Sequence, residues 1–286
     1  MKTLLWSCCF FAVVAIARAA VQPDIEYAHV GGESLRLDAS VPQGPGPFPA
    51  AILVHGGGWM NGDKSGGPGK GFMVPMHEPL ERGGFAWFSI NYRLAPKHPY
   101  PACVDDVLTA IRWVKSHAAE YRVDPSRIAL SGESAGGHLV ALAAVRADAG
   151  TRVAAVIPFY GLFDLTGDLK PGAELPTHFA RLFGRTNLDE RAQILMREAS
   201  PMQRVKEGLP PFLLVHGTAD AAVPFQQSVL LQAKLREHAV PCDLLTIKDG
   251  VHGMISWDVV VPDYKQQVVT WIAKVLNAGP VNLVKP

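Results

Sequence analysis

The chain has 286 residues, which is long enough to bury a substantial core and fits one α/β domain. Hydrophobic residues make up 48 %, charged residues 19 %, and the formal net charge is +1. Without a basic run or an acidic tail, the composition gives no support for binding nucleic acid or an anionic membrane surface.

The first nineteen residues have the pattern of a secretory signal peptide. Lys2 precedes a nearly uninterrupted apolar run from Leu4 to Ile16, and Ala17-Arg18-Ala19 matches the small-x-small cleavage pattern. The apolar run is shorter than the roughly 20 residues that span a bilayer. We therefore expect cleavage after Ala19, a secreted or periplasmic protein, no stable membrane insertion, and a single domain over residues 20–286.

Removal of residues 1–19 leaves two cysteines, Cys103 and Cys242. The sequence leaves open whether they form a disulfide, and favours two buried free thiols. Cysteine and histidine residues do not show the spacing of a zinc site, so the sequence predicts no metal.

After residue 19, the sequence predicts a β-hairpin followed by alternating strands and helices. Two alternating segments flank Gly31-Gly32. Buried apolar runs then alternate with segments of helical period. The runs are 50–55, 84–92, 127–132, 153–161, 212–217 and 242–247, and the helical segments are 103–118, 134–147, 225–239 and 263–278. This order predicts a mostly parallel sheet with helices on both faces, in which ligands bind beyond the carboxyl ends of the strands.

One long segment interrupts the alternation. Residues 162–200 contain helical patches and no strand pattern. The sequence leaves open whether this insertion is a small cap over the site or a surface excursion.

Ser134 lies in the pattern Gly132-Glu133-Ser134-Ala135-Gly136, directly after an apolar strand and at the start of a helix. A serine nucleophile needs a sharp strand-to-helix turn to expose its hydroxyl, and glycines at these two positions leave room for that turn. Ser134 could also simply cap the helix. The rest of the chain favours catalysis, because it supplies partners for the serine.

A second glycine cluster, in the stretch HGGGW (55–59), follows an earlier apolar strand. Attack on a carbonyl places negative charge on its oxygen, and backbone N–H groups directed at that oxygen stabilise it. We predict an oxyanion hole formed by the N–H groups of Gly57, Gly58 and Ala135. The alternative is a flexible turn.

The base that activates Ser134 should be one of ten histidines. His252 is the only one that follows the last predicted strand and precedes the last helix. His55 and His216 end strands beside glycines and are expected to brace their loops, and His138 is expected to be structural.

The acid that orients His252 should come between serine and histidine in the chain. Asp220 follows the strand before the histidine loop. Asp243 falls inside a strand, Asp249 is too near His252 to come from a separate loop, and Asp164 is the reserve candidate. The predicted catalytic residues are therefore Ser134, Asp220 and His252.

These motifs resemble the esterase branch of the α/β-hydrolase fold that carries an HGGG oxyanion motif. INYRLAP (90–96) is similar to the hormone-sensitive-lipase-like family, while GHL (137–139) and HGTADAAVP (216–224) look more like feruloyl and acetyl-xylan esterases. The resemblance covers nearly all of the chain after the leader. It implies the same roles for Ser134, Asp220, His252, Gly57 and Gly58, and it implies no organic cofactor.

The expected function is hydrolysis of short-chain or carbohydrate-linked esters through an acyl-enzyme, with a small-molecule or polysaccharide-linked substrate. Trp59 could stack on that substrate, although a packing role is at least as plausible. An amide hydrolase or peptidase with the same triad, and a noncatalytic binding protein on the same scaffold, are the alternatives. A phosphate loop at GGPGKG (66–71) is rejected because its spacing is wrong.

Overall fold

The structure is a computed structural model that describes residues 20–66, 73–167 and 169–277. The predicted signal peptide, residues 1–19, lies outside the described residues, as does most of the GGPGKG stretch.

The chain begins with the predicted hairpin. Strand β1 (Gln22–Val30) and strand β2 (Glu33–Ser40) pair antiparallel. Gly31 and Gly32 form the turn with φ values of +60° and +81°, a conformation that glycine adopts without strain.

The hairpin joins an eight-stranded sheet of order β1-β2-β4-β3-β5-β6-β7-β8. The other strands are β3 (Phe48–Val54), β4 (Ala86–Ile90), β5 (Val123–Glu133), β6 (Ala155–Phe159), β7 (Phe212–Gly217) and β8 (Cys242–Ile247). Strand β2 runs antiparallel to β4, and all pairs from β4 to β8 are parallel. The prediction of a mostly parallel sheet is confirmed.

Helices cover both faces of this sheet. They are α1 (His77–Arg82), α2 (Ala102–Ser116), α3 (Ala135–Arg146), α4 (Thr177–Phe183), α5 (Glu190–Ala199), α6 (Gln226–Glu237), α7 (Trp257–Val260) and α8 (Tyr264–Asn277). Successive side chains of β3 point to opposite faces, so Ile52 belongs to the core under α2 and α3, and Leu53 to the core under α1 and α8. Burial on both faces explains why the parallel strands are apolar without alternation.

The 162–200 segment folds into α4 and α5. Phe179 and Phe183 of α4 and Leu195 of α5 are buried in the same core as α3. The segment is therefore packed against the sheet side that carries the α3 helix, and a role as a lid stays a prediction.

Cys103 and Cys242 are buried free thiols, as the sequence favoured. Burial raises the pKa of Cys103 and of Cys242 to about 12 each. Neither thiol is a reactive nucleophile in this state.

Candidate active site

Ser134 occupies a strained turn between β5 and α3. Its φ is +53° and its ψ is −118°, a conformation that costs free energy for a residue with a side chain. The turn is held by the Ser134 N–H, which donates to Phe159 O at 3.0 Å, and by Ser134 O, which accepts from the His138 N–H at 2.9 Å. The Ser134 side chain makes no capping hydrogen bond to α3, so its hydroxyl is free for another partner.

The glycines of the motif permit close backbone packing around this turn. A Cβ on Gly132 would lie 2.6 Å from Gly136 O, and a Cβ on Gly136 would lie 2.1 Å from Val54 O and 2.5 Å from His55 O. The start of α3 is therefore pressed against the carboxyl end of β3, which leads into the HGGGW turn. No residue with a side chain fits at these two positions without backbone movement.

A chain of hydrogen bonds joins the three predicted catalytic residues. Ser134 Oγ lies 3.0 Å from His252 Nε2, and His252 Nδ1 lies 2.7 Å from Asp220 Oδ2. Since Asp220 is an acceptor when ionised, Nδ1 carries the proton and Nε2 is left to accept from the serine hydroxyl. Each residue follows a different strand (β5, β8 and β7), so the sheet brings them together at one edge.

Asp220 is held by donors on both of its oxygens. Oδ1 accepts from the N–H groups of Ala222 at 2.9 Å and Val223 at 2.8 Å, and Oδ2 accepts from His252. A second histidine, His216, places Nε2 at 3.4 Å from the same Oδ2. Burial raises the pKa of Asp220, but hydrogen bonds from His216 and His252 outweigh it and hold the pKa below its ordinary value. The carboxylate is therefore ionised at neutral pH.

The other aspartates weighed from the sequence have different partners. Asp164 accepts from the N–H and hydroxyl of Thr166, and Asp243 accepts from the indole of Trp271. Asp164, the second candidate for the acid that orients His252, does not take that role, because Asp220 contacts His252 directly.

The three predicted oxyanion donors lie in two neighbouring turns. Gly57 and Gly58 have φ values of +95° and +62°, and Gly57 O accepts from the Asn61 N–H at 3.0 Å. A Cβ on Gly57 would lie 2.2 Å from Asn61 O, so this tight turn requires glycine. Ala135 is the first residue of α3, where an N–H has no acceptor within the helix. These donors beside the α3 N-terminus suit a site for developing negative charge.

His55 braces the HGGGW turn, as predicted. Its Nδ1 donates to Gly56 O at 2.9 Å, and its ring stacks on Tyr92 with the centroids 4.4 Å apart. A Cβ on Gly62 would lie 2.2 Å from His55 Nδ1, so the returning chain also packs against the ring. Burial lowers the pKa of His55 to about 4, which keeps the ring neutral.

Trp59 is buried, with 4 % of its surface exposed. Its indole N–H donates to His138 Nδ1 at 3.0 Å, and His138 Nε2 donates to Ala199 O at 2.7 Å. The indole also lies near the rings of His178 and Phe179 of α4. Trp59 therefore joins the HGGGW turn to α3 and α4, the packing role that the sequence left open, and its ring offers no exposed face for stacking on a substrate.

Two residues of the site were missed by sequence reasoning. Glu133, next to the nucleophile, is 4 % exposed, and its Oε1 has no hydrogen-bond partner among the described residues. A Cβ on Gly56 would lie 2.0 Å from that oxygen, so the carboxyl fills the space beside the turn. Tyr160 follows β6 and meets the His252 ring edge-on with centroids 4.8 Å apart. The sequence feature that could have indicated Glu133 is an acidic residue at the end of an apolar strand.

Burial raises the pKa of Glu133. Hydrogen bonds with Tyr160 and with the Gly56 backbone, together with the nearby His252, lower this pKa but offset only part of the effect of burial. Glu133 therefore holds its proton to higher pH than a solvent-exposed glutamate.

Residues 37–235 match the model of the BD-FAE family. The chain belongs to the BD-FAE family. The matched range runs from within β2 to within α6 and includes Ser134 and Asp220, while His252 lies beyond it.

Solved structures share the architecture of this BD-FAE family member. A truncated carbohydrate esterase from gut microbiota aligns with a TM-score of 0.79 and 26 % identity, over 92 % of this chain and 98 % of that one. A propionate-bound esterase from Thermogutta terrifontis aligns with a TM-score of 0.72 and 25 % identity, over 91 % and 95 %. The fold is the α/β-hydrolase fold, as the resemblance implied.

Two relatives in Mycobacterium tuberculosis are also similar in sequence. The probable carboxylic ester hydrolase LipM is 35 % identical over 67 % of this chain and 46 % of its own length. Esterase LipQ is 35 % identical over 77 % of this chain and 53 % of its own length. The chain thus spans about half the length of these relatives.

Proposed function

We propose that this protein is a carboxylic-ester hydrolase that acts through an acyl-enzyme on Ser134. The observation that carries the proposal is the continuous hydrogen-bond chain from Ser134 Oγ through His252 to Asp220 Oδ2. The names of the related esterases and of the matched esterase structures support the same reaction class.

In this mechanism His252 Nε2 takes the hydroxyl proton as Ser134 Oγ attacks the ester carbonyl. Asp220 holds the ring in the required tautomer and stabilises the imidazolium that forms. The N–H groups of Gly57, Gly58 and Ala135 receive the oxyanion, for which each donor contributes on the order of 3 kcal/mol.

The imidazolium then gives its proton to the leaving alcohol, and the acyl group stays on Ser134. A water molecule then loses a proton to His252 Nε2 and attacks the acyl carbonyl. The bond between the acyl carbon and Ser134 Oγ breaks, and the imidazolium returns its proton to Oγ, which releases the acid and restores the serine.

The proposed substrates are short-chain or carbohydrate-linked esters. A related structure is named a carbohydrate esterase, and another contains propionate, a short acid. Both names support this class. We also propose that the chain is exported after cleavage behind Ala19, which N-terminal mass spectrometry of the protein from its natural host tests directly.

The decisive experiment is hydrolysis of acetyl, butyryl, long-chain, feruloyl and amide substrates by the wild type and by Ser134→Ala. We expect fastest turnover of short-chain or feruloyl esters and a loss of on the order of 10⁴-fold or more in the variant. Unchanged turnover by Ser134→Ala would refute the mechanism. Faster cleavage of amides than of matched esters would show that the protein is an amidase and not an esterase.

A further inference from the structure

The catalytic acid has two histidine neighbours, and only His252 touches the nucleophile. The other, His216, is the penultimate residue of β7 and is fully buried. Its Nε2 lies 3.4 Å from Asp220 Oδ2 and 3.0 Å from Val223 O, and its Nδ1 lies 2.7 Å from Ser228 Oγ. None of the steps of ester hydrolysis described above uses this side chain.

The surroundings of His216 determine which nitrogen carries the proton. Both groups that face Nε2, the Asp220 carboxylate and the Val223 carbonyl, are acceptors, so Nε2 is the donor. Nδ1 then accepts the hydroxyl proton of Ser228, which is also fully buried on α6. Phe225 meets the ring edge-on, with the centroids 5.6 Å apart.

Both histidines therefore direct an N–H group toward Asp220 Oδ2: His252 donates to it at 2.7 Å, and His216 Nε2, which donates to Val223 O, lies 3.4 Å from it as a weaker second contact. A donor near a carboxylate partly neutralises its negative charge, so a second donor weakens the hydrogen bond that the carboxylate makes with the first. By this argument, the His216 contact limits how strongly Asp220 stabilises the imidazolium form of His252.

We propose that His216 is a positioning residue that sets the strength of His252 as a base through their shared contact with Asp220 Oδ2. This proposal rests on the proposed ester hydrolysis by Ser134. Besides Asp220, the titratable groups near His252 among the described residues are Glu133 and Tyr160.

The test compares the pH dependence of kcat/KM for the wild type, His216→Phe and His216→Gln on a short-chain ester. Phenylalanine keeps a ring against Tyr160 and Phe225 but removes the donor, so Glu133 and Tyr160 are left as they are. We expect the acid limb of the profile to move to higher pH by roughly 0.7 of a unit, because the loss of a contact worth about 1 kcal/mol corresponds to that shift. Looser placement of Asp220 should lower the plateau kcat about tenfold.

His216→Gln keeps an N–H donor in the same place, and its acid limb should remain at the wild-type pH. Ser228→Ala is the matched control, because it removes a polar group from the same buried cluster without removing the donor to Asp220. An acid limb that stays in place in a folded, active His216→Phe enzyme would overturn the proposal. An equal shift in Ser228→Ala would also overturn it, because general disturbance of the cluster would then suffice.

A measurement on the wild type covers the case in which His216→Phe does not fold. In the protein labelled with ¹⁵N-histidine, the ring spectrum should show His216 with its proton on Nε2, assigned by the change that Ser228→Ala causes at Nδ1. A proton on Nδ1 of a neutral ring would overturn the proposal. If the wild type shows no Ser134-dependent ester hydrolysis, the proposed function fails instead, and the spectrum still decides the His216 bond.

Discussion

Gly136→Ala is the substitution that tests most directly how the site is built. The added Cβ would lie 2.1 Å from Val54 O and 2.5 Å from His55 O. Ordinary contacts of this kind are about 3.5 Å or more, so the two backbones must separate by roughly 1.0–1.4 Å. Both carbonyls stand at the end of β3, which is paired on either side by β4 and β5 and has little freedom to move.

Two effects of this separation can be measured. Forced overpacking of a well-packed core should lower the free energy of unfolding by about 3 kcal/mol. Movement of the HGGGW turn away from Ser134 by about 1 Å should lower kcat/KM on the order of 100-fold. Urea unfolding followed by tryptophan fluorescence and hydrolysis of a short-chain nitrophenyl ester measure the two effects on the same preparation.

Gly150→Ala is the matched control. A Cβ at that position lies 3.4 Å from Asp148 Oδ1 and 3.8 Å from Arg112 Nε, which are ordinary contacts. We expect its stability to change by less than about 0.5 kcal/mol. A Gly136→Ala enzyme that matches Gly150→Ala in both stability and kcat/KM would refute the steric argument for the Ser134 turn.

Three further substitutions test individual contacts. Asp220→Asn should lower kcat on the order of 10⁴-fold without unfolding the protein, because the amide favours the wrong tautomer of His252; a loss below tenfold in steady-state assays would contradict this role. The pKa of Glu133 is raised in the folded protein above its ordinary value of 4.5. As the pH rises past 4.5, the unfolded chain loses the carboxyl proton while the folded protein still holds it, so the contribution of Glu133 to the free energy of unfolding falls. Glu133→Gln should therefore lose less stability than the wild type between pH 4 and pH 7 in urea titrations, and equal losses would contradict the burial argument. Trp59→Phe leaves His138 Nδ1 without its donor and should lower the free energy of unfolding by about 1–3 kcal/mol, whereas an unchanged urea midpoint would show that the bond contributes little.

Much of this architecture is determined by local sequence patterns. The alternation of apolar runs with helical periods predicts β3 to β8 and the main helices, because burial on both faces demands continuous apolar strands. Ser134, Asp220 and His252 could be selected because each follows a strand, and parallel strands end at one edge of the sheet. The glycines around Ser134 could be interpreted because a strand-to-helix turn has a local steric requirement.

Contacts between residues far apart in the chain were decided only by the tertiary structure. Trp59 reads equally well as a substrate platform or as packing, and only its contact with His138 on α3 shows that it is packed. The sequence gives no sign of the raised pKa of Glu133, because that shift comes from the burial of its carboxyl in the folded protein. His216 was expected to brace a loop, but its contact with Asp220 depends on the path that the chain takes from β7 to α6. Distances and desolvation are properties of the packed chain, and periodicity does not encode them.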